Sequence, residues 1–364
     1  MSNKKCSCTD GFVAERVGKV GGQAVIEGVM MRGPKQYTTA VRTPSGRIET
    51  DTHNNTSIKD KYKFFGLPII RGVVNFVEML LLSMSTLTFS AEAQGLEEEE
   101  TRFEKWLSKH FGKSLVAAVA VVGTVLGVAL SLFLFMYLPI KVTALIEYIV
   151  GDGFTFNPYA RSAIEGVIKM AIFVSYIALV SLMPDIRRTF EYHGAEHKSI
   201  FCYERGLELT VENVKNEKRF HPRCGTSFMV VMIVVGILIS MLIKTDIVWL
   251  RTVIRLLVLP FIVGLGYEII RYAGRHDNLL IRTVTKPGMW MQRLTTKEPD
   301  ASQIECAIVA LKSALPDIFP TDDIFTGIVQ PEKVEESAEK GEAPAEDGDA
   351  VADISEETTE DTEA

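Results

Sequence analysis

The stretch of residues 183–227 begins MPDIRRTFEYHGAEHK (183–198) and ends RFHPRCGTS (219–227), and a long apolar run flanks it on each side. It concentrates the residue types that bind divalent metal ions. Three of the six histidines and one of the five cysteines lie here (His193, His197, His221 and Cys224), with Glu191 and Glu196 beside the histidines. The sequence therefore predicts a polar, His-rich loop at residues 184–227, held at a membrane surface and equipped for a metal ion.

Four segments have the length and apolar composition of membrane spans: Leu115–Leu138, Ile164–Met183, Phe228–Ile243 and Ile247–Ile270. A span needs about 20 apolar residues to cross a hydrocarbon core of about 30 Å. The fourth carries charge, so we expect Arg251 and Arg255 to snorkel at the outer leaflet and Glu268 to lie near the cytoplasmic end. The predicted fold class is a mainly α membrane protein with a four-span domain at residues 115–270.

Two further elements precede the spans. The segment at residues 67–93 is largely apolar, but Glu78 near its middle makes a full crossing costly, so we expect an interfacial or re-entrant helix. Residues 1–66 are predicted to form a small cytoplasmic module with short strands. A β-hairpin is expected in it, with one strand at Tyr37–Val41 and a second near Ile48.

The C-terminal part contains one more helix and a charged tail. Residues 271–318 are predicted to be a cytoplasmic segment with an amphipathic helix, because Ser302-Gln-Ile-Glu305 has the form of a capping box. Residues 331–364 contain 14 Asp and Glu and two Lys, a net charge of −12, and are predicted to be disordered. The whole chain carries −7, so the remainder carries +5, as expected beside anionic lipid. No basic–aromatic pattern indicates nucleic acid as a partner.

The distribution of Lys and Arg predicts the orientation. Eight lie between the second and third spans, two between the first and second, and one between the third and fourth. Because such residues stay on the cytoplasmic side, we expect a multi-pass protein of the cell inner membrane with the His-rich loop and both termini in the cytoplasm. Its expected partners are the lipid bilayer and an unidentified membrane or membrane-associated protein, and the oligomeric state stays open.

The sequence His193-Gly-Ala-Glu196-His197 has the form His-x-x-Glu-His. On a helix both histidines share one face and can reach one metal ion, while Glu196 can act on a metal-bound water as general base. The third ligand is expected from Glu268 or His221. His221-Pro-Arg-Cys224 adds an imidazole and a thiolate three residues apart, which could instead complete a structural zinc site.

Each of these residues also has a simpler interpretation. The two histidines could be solvated or bind lipid phosphate in a basic loop. Cys224 could be a small buried residue at the start of the third span. Glu268 could pair with Arg271 on its own helix.

Three segments together resemble one family: Gly21–Pro34, Tyr192–Ser227 and Lys286–Asp300. The chain is similar to the YqhQ-like family of bacterial multi-spanning membrane proteins, over about residues 20–315. That family is of unknown function and is described in general terms as predicted metal-dependent enzymes. The resemblance implies a membrane location and a suspected metal site, which falls on His193, Glu196, His197, His221 and Cys224.

The leading functional prediction is a membrane-embedded zinc-dependent hydrolase, with a peptidase as one candidate, acting at the cytoplasmic membrane face. In it Glu196 is catalytic, and the metal ligands come from His193, His197, His221, Cys224 and Glu268. The alternative is a non-catalytic membrane scaffold or assembly factor with a structural metal or none. A transporter is less favoured, because the predicted spans carry few polar groups at mid-depth.

Overall fold

The structure is a computed structural model that describes residues 8–9, 12–95, 113–151, 153–221, 223–243, 245, 247–273, 279–326 and 328, with the backbone alone at some positions. The predicted disordered tail at residues 331–364 lies outside the described residues. Within them the chain is mainly helical, with two small antiparallel sheets. This confirms the predicted fold class.

The N-terminal module is built on a four-stranded antiparallel sheet in which sequence neighbours pair. Its strands are β3 (Gly21–Val25), β4 (Gly28–Arg32), β5 (Gln36–Arg42) and β6 (Ile48–Asn54), and a short ladder of β1 (Cys8–Thr9) and β2 (Phe12–Val13) precedes them. The predicted hairpin is β5–β6, in which Tyr37 lies opposite His53. A second hairpin, β3–β4, occupies the glycine-rich segment and turns at Glu27, whose φ is 50°.

Two helices cover the sheet: α6 (Pro184–Glu204) and α11 (Ala301–Ser313). Their contact forms a core of fully buried side chains that includes Val29 and Met31 of the sheet, Tyr192 of α6, and Ile304 and Ile308 of α11. Burying each such side chain contributes about 1.5–3 kcal/mol. The sheet and its two helices therefore share one core, to which both the N-terminal and the C-terminal parts of the chain contribute.

The predicted amphipathic helix is α11, but its capping box lies two residues earlier than expected. The Asp300 side chain accepts a hydrogen bond from the Gln303 backbone N–H at 2.8 Å. In return, the Gln303 side-chain oxygen accepts one from the Asp300 N–H at 2.9 Å. Because these two residues satisfy the free donors of the first turn, the helix begins at Ala301.

Four helical segments are long and apolar enough to cross a membrane. Three of them are single helices: α2 (Ile70–Ala93), α5 (Pro158–Val180) and α9 (Val248–Ala273). The fourth is composite, because α3 (Lys113–Leu132) continues through a π-helical turn (Phe133–Tyr137) into α4 (Leu138–Val150). Few of their side chains are fully buried in the isolated chain, as expected of surfaces that face lipid.

Among these four segments, α2 stands in place of the third predicted span. The 67–93 segment contains the continuous 24-residue helix α2, which has the length of a span. Its second half contacts the N-terminal sheet, since Gln23 Nε2 donates to Thr86 Oγ1 at 2.7 Å and Gln94 Nε2 to the Arg42 carbonyl at 2.8 Å, so the interfacial helix stays a prediction. The third predicted span is α8 (Gly225–Ser240), whose 16 residues extend about 24 Å, less than a hydrocarbon core of about 30 Å. The His-rich stretch is mostly ordered helix, with α7 (Val211–Lys215) after α6. The remaining helices are α1 (Ile58–Lys61) and α10 (Leu279–Thr295).

The prediction that Arg251 and Arg255 snorkel is wrong. Both side chains are buried and pair with Glu165 of α5, at 3.2 Å from Arg251 Nη1 and 2.8 Å from Arg255 Nη2. A carboxylate on the neighbouring helix offsets their charge inside the bundle, so the guanidinium groups do not need to reach the surface. The pairs tie the first half of α9 to α5.

A substitution at Gly194 can test how closely α6 packs against the segment after α10. A Cβ at this position would overlap the Lys297 carbonyl oxygen. We expect Gly194→Ala to lower the free energy of unfolding by about 1–3 kcal/mol, because backbone cannot yield as a flexible side chain does. Thermal unfolding in detergent measures the change.

The matched control is Gly127→Ala in α3, where a Cβ meets nothing within 4 Å. Alanine favours a helix interior over glycine by about 1 kcal/mol, so the control should be neutral or stabilising. An equally neutral or stabilising Gly194→Ala would contradict the close packing.

Candidate metal centre

Helix α6 carries the first two predicted ligands. His193 and His197 lie one turn apart, and their ring centroids are 4.4 Å apart. His197 is buried, whereas His193 is only partly buried. Because α6 contacts β3, β4 and α11, its packing orients both imidazoles.

The third group comes from the start of α8. Cys224 caps that helix, and its Sγ lies 3.2 Å from His193 Nε2. One ligand atom from each of His193, His197 and Cys224 falls within 4.8 Å of the other two. The structure therefore brings together three of the five predicted metal ligands.

Both imidazoles are oriented as metal-binding histidines usually are. His193 Nδ1 lies 2.8 Å from the Thr295 carbonyl oxygen, and His197 Nδ1 lies 2.5 Å from the Arg219 carbonyl oxygen. A carbonyl oxygen only accepts, so each Nδ1 carries the hydrogen and each Nε2 keeps its lone pair when the ring is neutral. Carbonyl acceptors of this kind hold a ligating imidazole in the required tautomer.

Glu196 is buried beside these groups without a full set of partners. Its Oε2 lies 4.0 Å from His193 Nε2 and accepts no hydrogen bond from the described residues. Burial raises the pKa of Glu196, and the facing His193 and His197 oppose that rise. An unpartnered buried polar atom of this kind costs about 1–3 kcal/mol. It is therefore the atom here that most needs a water, substrate or ion.

His221, the fourth predicted ligand, lies next to the group but outside it. Its ring centroid is 5.6 Å from that of His197, and its Nε2 is 3.8 Å from Glu204 Oε2. Gln292 holds the His221 backbone in place by two hydrogen bonds of 2.7 Å. Its Oε1 accepts from the His221 N–H, and its Nε2 donates to the His221 carbonyl oxygen.

Glu204 is a residue that sequence reasoning missed. It is buried, accepts a hydrogen bond from the Gly18 N–H at 2.8 Å, and pairs with Arg223. It follows His197 by seven residues, so it lies on the same helical face. This seven-residue spacing is the sequence signal that could have identified Glu204.

Glu268, the fifth predicted ligand, is not in this group. Its carboxylate forms a bidentate pair with Arg71 of α2, with Nε–Oε1 and Nη2–Oε2 distances of 2.6 and 2.5 Å. Glu268 therefore forms an ion pair, as the alternative interpretation of the sequence expected, but its partner is Arg71 rather than Arg271. Glycines allow this contact, since Gly72 and Gly264 let α2 and α9 approach so closely that a Cβ at Gly72 would lie 2.9 Å from Gly264 Cα.

The group opens into a cavity of about 630 Å³ that is also lined by the N-terminal sheet and by helices α2, α8 and α9. His193, Glu196, His197 and Cys224 all line it. Strand β3 also lines the cavity and packs against Glu196, where Gly22 permits the approach, because a Cβ there would lie 3.0 Å from Glu196 Cγ. The glycine-rich N-terminal segment therefore shapes the cavity.

The two charged partners at the centre shift each other's pKa. Burial would raise the pKa of the Cys224 thiol, but the facing His193 and His197 hold it well below its ordinary value. Burial would lower the pKa of His193, yet the Cys224 sulfur raises it to about 9. Without a metal ion, the pair is therefore a thiolate beside an imidazolium.

This pair predicts a distinctive alkylation profile for Cys224 after metal is removed with a chelator. The thiolate is the reactive form, so alkylation by iodoacetamide should stay fast from pH 9 to pH 6, where an ordinary thiol of pKa about 8.5 slows. Removing the imidazole with His193→Gln should raise the thiol pKa and slow alkylation at pH 6 by about tenfold or more. Peptide mass spectrometry resolves each cysteine.

Cys202 and Cys306 serve as internal controls, since burial raises the pKa of each thiol to about 12. Both should stay unmodified over the same range. An alkylation rate at Cys224 that rises through pH 8–9 like that of a free thiol would contradict the ion pair.

Comparison with known proteins gives a family but no activity. The model of a family described as a protein of unknown function (DUF1385) matches residues 67–317. The chain is 37% identical over 300 residues to the uncharacterized protein YqhQ of Bacillus subtilis (strain 168), covering 81% of this chain and 92% of that protein. No solved structure matches. The resemblance carried by the three sequence segments is thereby confirmed, and the chain belongs to the DUF1385 family, whose function is unknown.

Proposed function

We propose that the protein is a metal-dependent hydrolase, with zinc as its ion, acting at the cytoplasmic face of the membrane. The observation that carries the proposal is the juxtaposition of three ligand atoms within 4.8 Å and the unpartnered Glu196 carboxylate oxygen. All four residues line one cavity.

The donor set favours zinc and an open position. Two imidazole nitrogens and one thiolate are ligands that zinc accepts in tetrahedral sites. Three protein ligands leave the fourth position for water or substrate, which is the pattern of catalytic rather than structural zinc. His221, which would be the natural fourth ligand of a structural site, is turned toward Glu204.

The residues of the chain then have separate roles. Bound zinc supplies a Lewis acid and brings the pKa of its water to about 7. Glu196 accepts a proton from the attacking water as the water oxygen bonds to the substrate. Glu196 then returns this proton to the leaving group as the substrate bond breaks, so the net reaction adds one water.

Location and orientation are part of the proposal. The α6 helix begins four residues after α5 ends, and Cys224 immediately precedes α8, so the site lies at one end of the bundle. The eight Lys and Arg of residues 184–227 support a cytoplasmic position for that end in the inner membrane, with both termini inside. The bilayer and an unidentified membrane or membrane-associated protein are the proposed partners.

Metal content and substrate trapping test the function together. Purified protein should contain about one zinc per chain, and His197→Ala should lose most of it because a ligand is gone. Glu196→Gln should keep the zinc and abolish turnover, so the uncleaved substrate should copurify with it in at least tenfold excess over wild type. Elemental analysis and mass spectrometry of bound species provide the readouts.

Glu268→Gln is the matched control, since it removes a carboxylate outside the group and should keep the zinc. Loss of zinc in this variant would restore Glu268 as a ligand. A Glu196→Gln protein that keeps zinc, accumulates nothing and supports every function of the wild type would favour the non-catalytic scaffold instead.

A second candidate rests on the 3.2 Å contact between Cys224 Sγ and His193 Nε2. A thiolate at a helix N-terminus beside an imidazolium is an activated nucleophile. Its sulfur would bond to a substrate acyl carbon while His193 gives a proton to the leaving group, and water would then hydrolyse the thioester.

Chelation separates the two candidates. Hydrolysis through zinc should stop when zinc is removed and return when it is restored. A cysteine nucleophile should work without zinc, and a trapped acyl group should appear on Cys224 in a one-to-one ratio. Zinc-free protein that hydrolyses its substrate through such an adduct would replace the metal-dependent proposal.

A further inference from the structure

The cavity at the candidate site is lined by two chemically different sets of groups. One set is the imidazole, thiol and carboxylate groups of the candidate site. The other is an apolar wall formed by side chains of α2, α8 and α9: Phe76, Met79, Phe228, Met229, Tyr267 and Ile270. Since α9 has the length and composition of a membrane span and α8 is a shorter apolar helix, the proposed membrane location puts this wall beside the bilayer.

The apolar wall continues to the protein surface. Met229 lines the cavity and is also 51% exposed, so it stands at the mouth. It lies five residues after Cys224, in the first turns of the apolar helix α8. An apolar chain can therefore pass from the bilayer toward the site without crossing water.

One cationic side chain in the cavity lacks a counter-ion. Arg32, at the end of β4, donates to Asn55 Oδ1 at 2.9 Å and faces the sulfur of Met79 at 3.0 Å, and no carboxylate pairs with it among the described residues. A thioether sulfur is a weak acceptor and carries no charge. Arg223, which also lines the cavity, is neutralised by Glu204. Arg32 is therefore the group that an anion would satisfy.

We infer that the substrate of this site is an anionic membrane lipid, an inference that rests on the proposed hydrolase. The lipid chain lies between α2, α8 and α9, and its negative head group lies beside Arg32. The head group and the bond next to it then lie in the cavity that His193, His197 and Cys224 also line.

The size of the cavity favours a lipid over a membrane-spanning peptide. About 630 Å³ lies within the range of small-molecule sites, about 300–1,000 Å³. A peptide helix with its side chains is about 10–12 Å wide and would have to unwind before entering. A lipid acyl chain needs no such unwinding before it enters.

Photolabelling tests the inference without turnover. Glu196→Gln protein in nanodiscs is exposed to phosphatidylglycerol or phosphatidylcholine, each with a diazirine on its acyl chain, and labelled residues are mapped by mass spectrometry. Phosphatidylglycerol should label Phe76, Met79 and Met229 about tenfold more than phosphatidylcholine, the ratio expected of one charge-assisted hydrogen bond. Leu80 and Leu81, which are exposed on α2, should be labelled equally by both lipids.

Variants at Arg32 identify the source of the preference. Arg32→Gln should bring the labelling ratio in the cavity to about one, and Arg32→Lys should keep most of it because the charge remains. Lys35→Gln removes an exposed cation paired with Asp317, outside the cavity, and should change nothing.

The outcomes are separable from those of the zinc experiments. Head-group-selective labelling that depends on Arg32 supports the lipid site even if the protein holds no zinc, in which case the hydrolase alone would fall. Equal labelling by both lipids, or selectivity that survives Arg32→Gln, would overturn the inference. So would displacement of the cavity label by an apolar peptide but not by unlabelled phosphatidylglycerol.

Discussion

The burial of a polar helix is the constraint on which the rest of the structure depends. From Tyr192 to Glu204, α6 is enclosed almost entirely by the sheet, α11 and the loop around α7, although its sequence is rich in charged and polar residues. Burying such groups is costly unless each finds a partner. The surrounding chain supplies those partners: Lys198 Nζ donates to the Lys215 carbonyl at 2.8 Å and pairs with Glu298, and Glu204 pairs with Arg223.

The segment after α10 makes this burial possible. It runs so close to α6 that glycine is needed at position 194, and the Lys297 N–H donates to the Phe190 carbonyl at 2.8 Å. Helix α10 itself supplies two further contacts: the carbonyl of its last residue, Thr295, orients His193, and Gln292 holds the backbone of His221. The third of the segments that carry the family resemblance thus supports the site without contributing a ligand.

The parts that sequence reasoning could predict are those that local periodicity or chain order determines. His193 and His197 share a face because of helical spacing, and Cys224 joins them because flanking apolar segments begin and end beside them. The partner of Glu268 depends on how α9 is rotated about its axis, which the sequence does not encode locally, and Arg71 lies 197 residues away. Ser57 and the Ile58 N–H donate to the Glu78 carboxylate, a tertiary contact that composition cannot show.

The charged side chains of Lys198 and Glu204 on α6 have partners, whereas Glu196 on the same helix lacks a full set. Of the buried carboxylate oxygens in the described part of the chain, its Oε2 alone lacks a hydrogen-bond partner. A free-energy cost of about 1–3 kcal/mol is large against a net stability of about 5–15 kcal/mol. Glu196 lines the same cavity as the two imidazoles and the thiol, which is the arrangement expected where a reacting molecule completes the site.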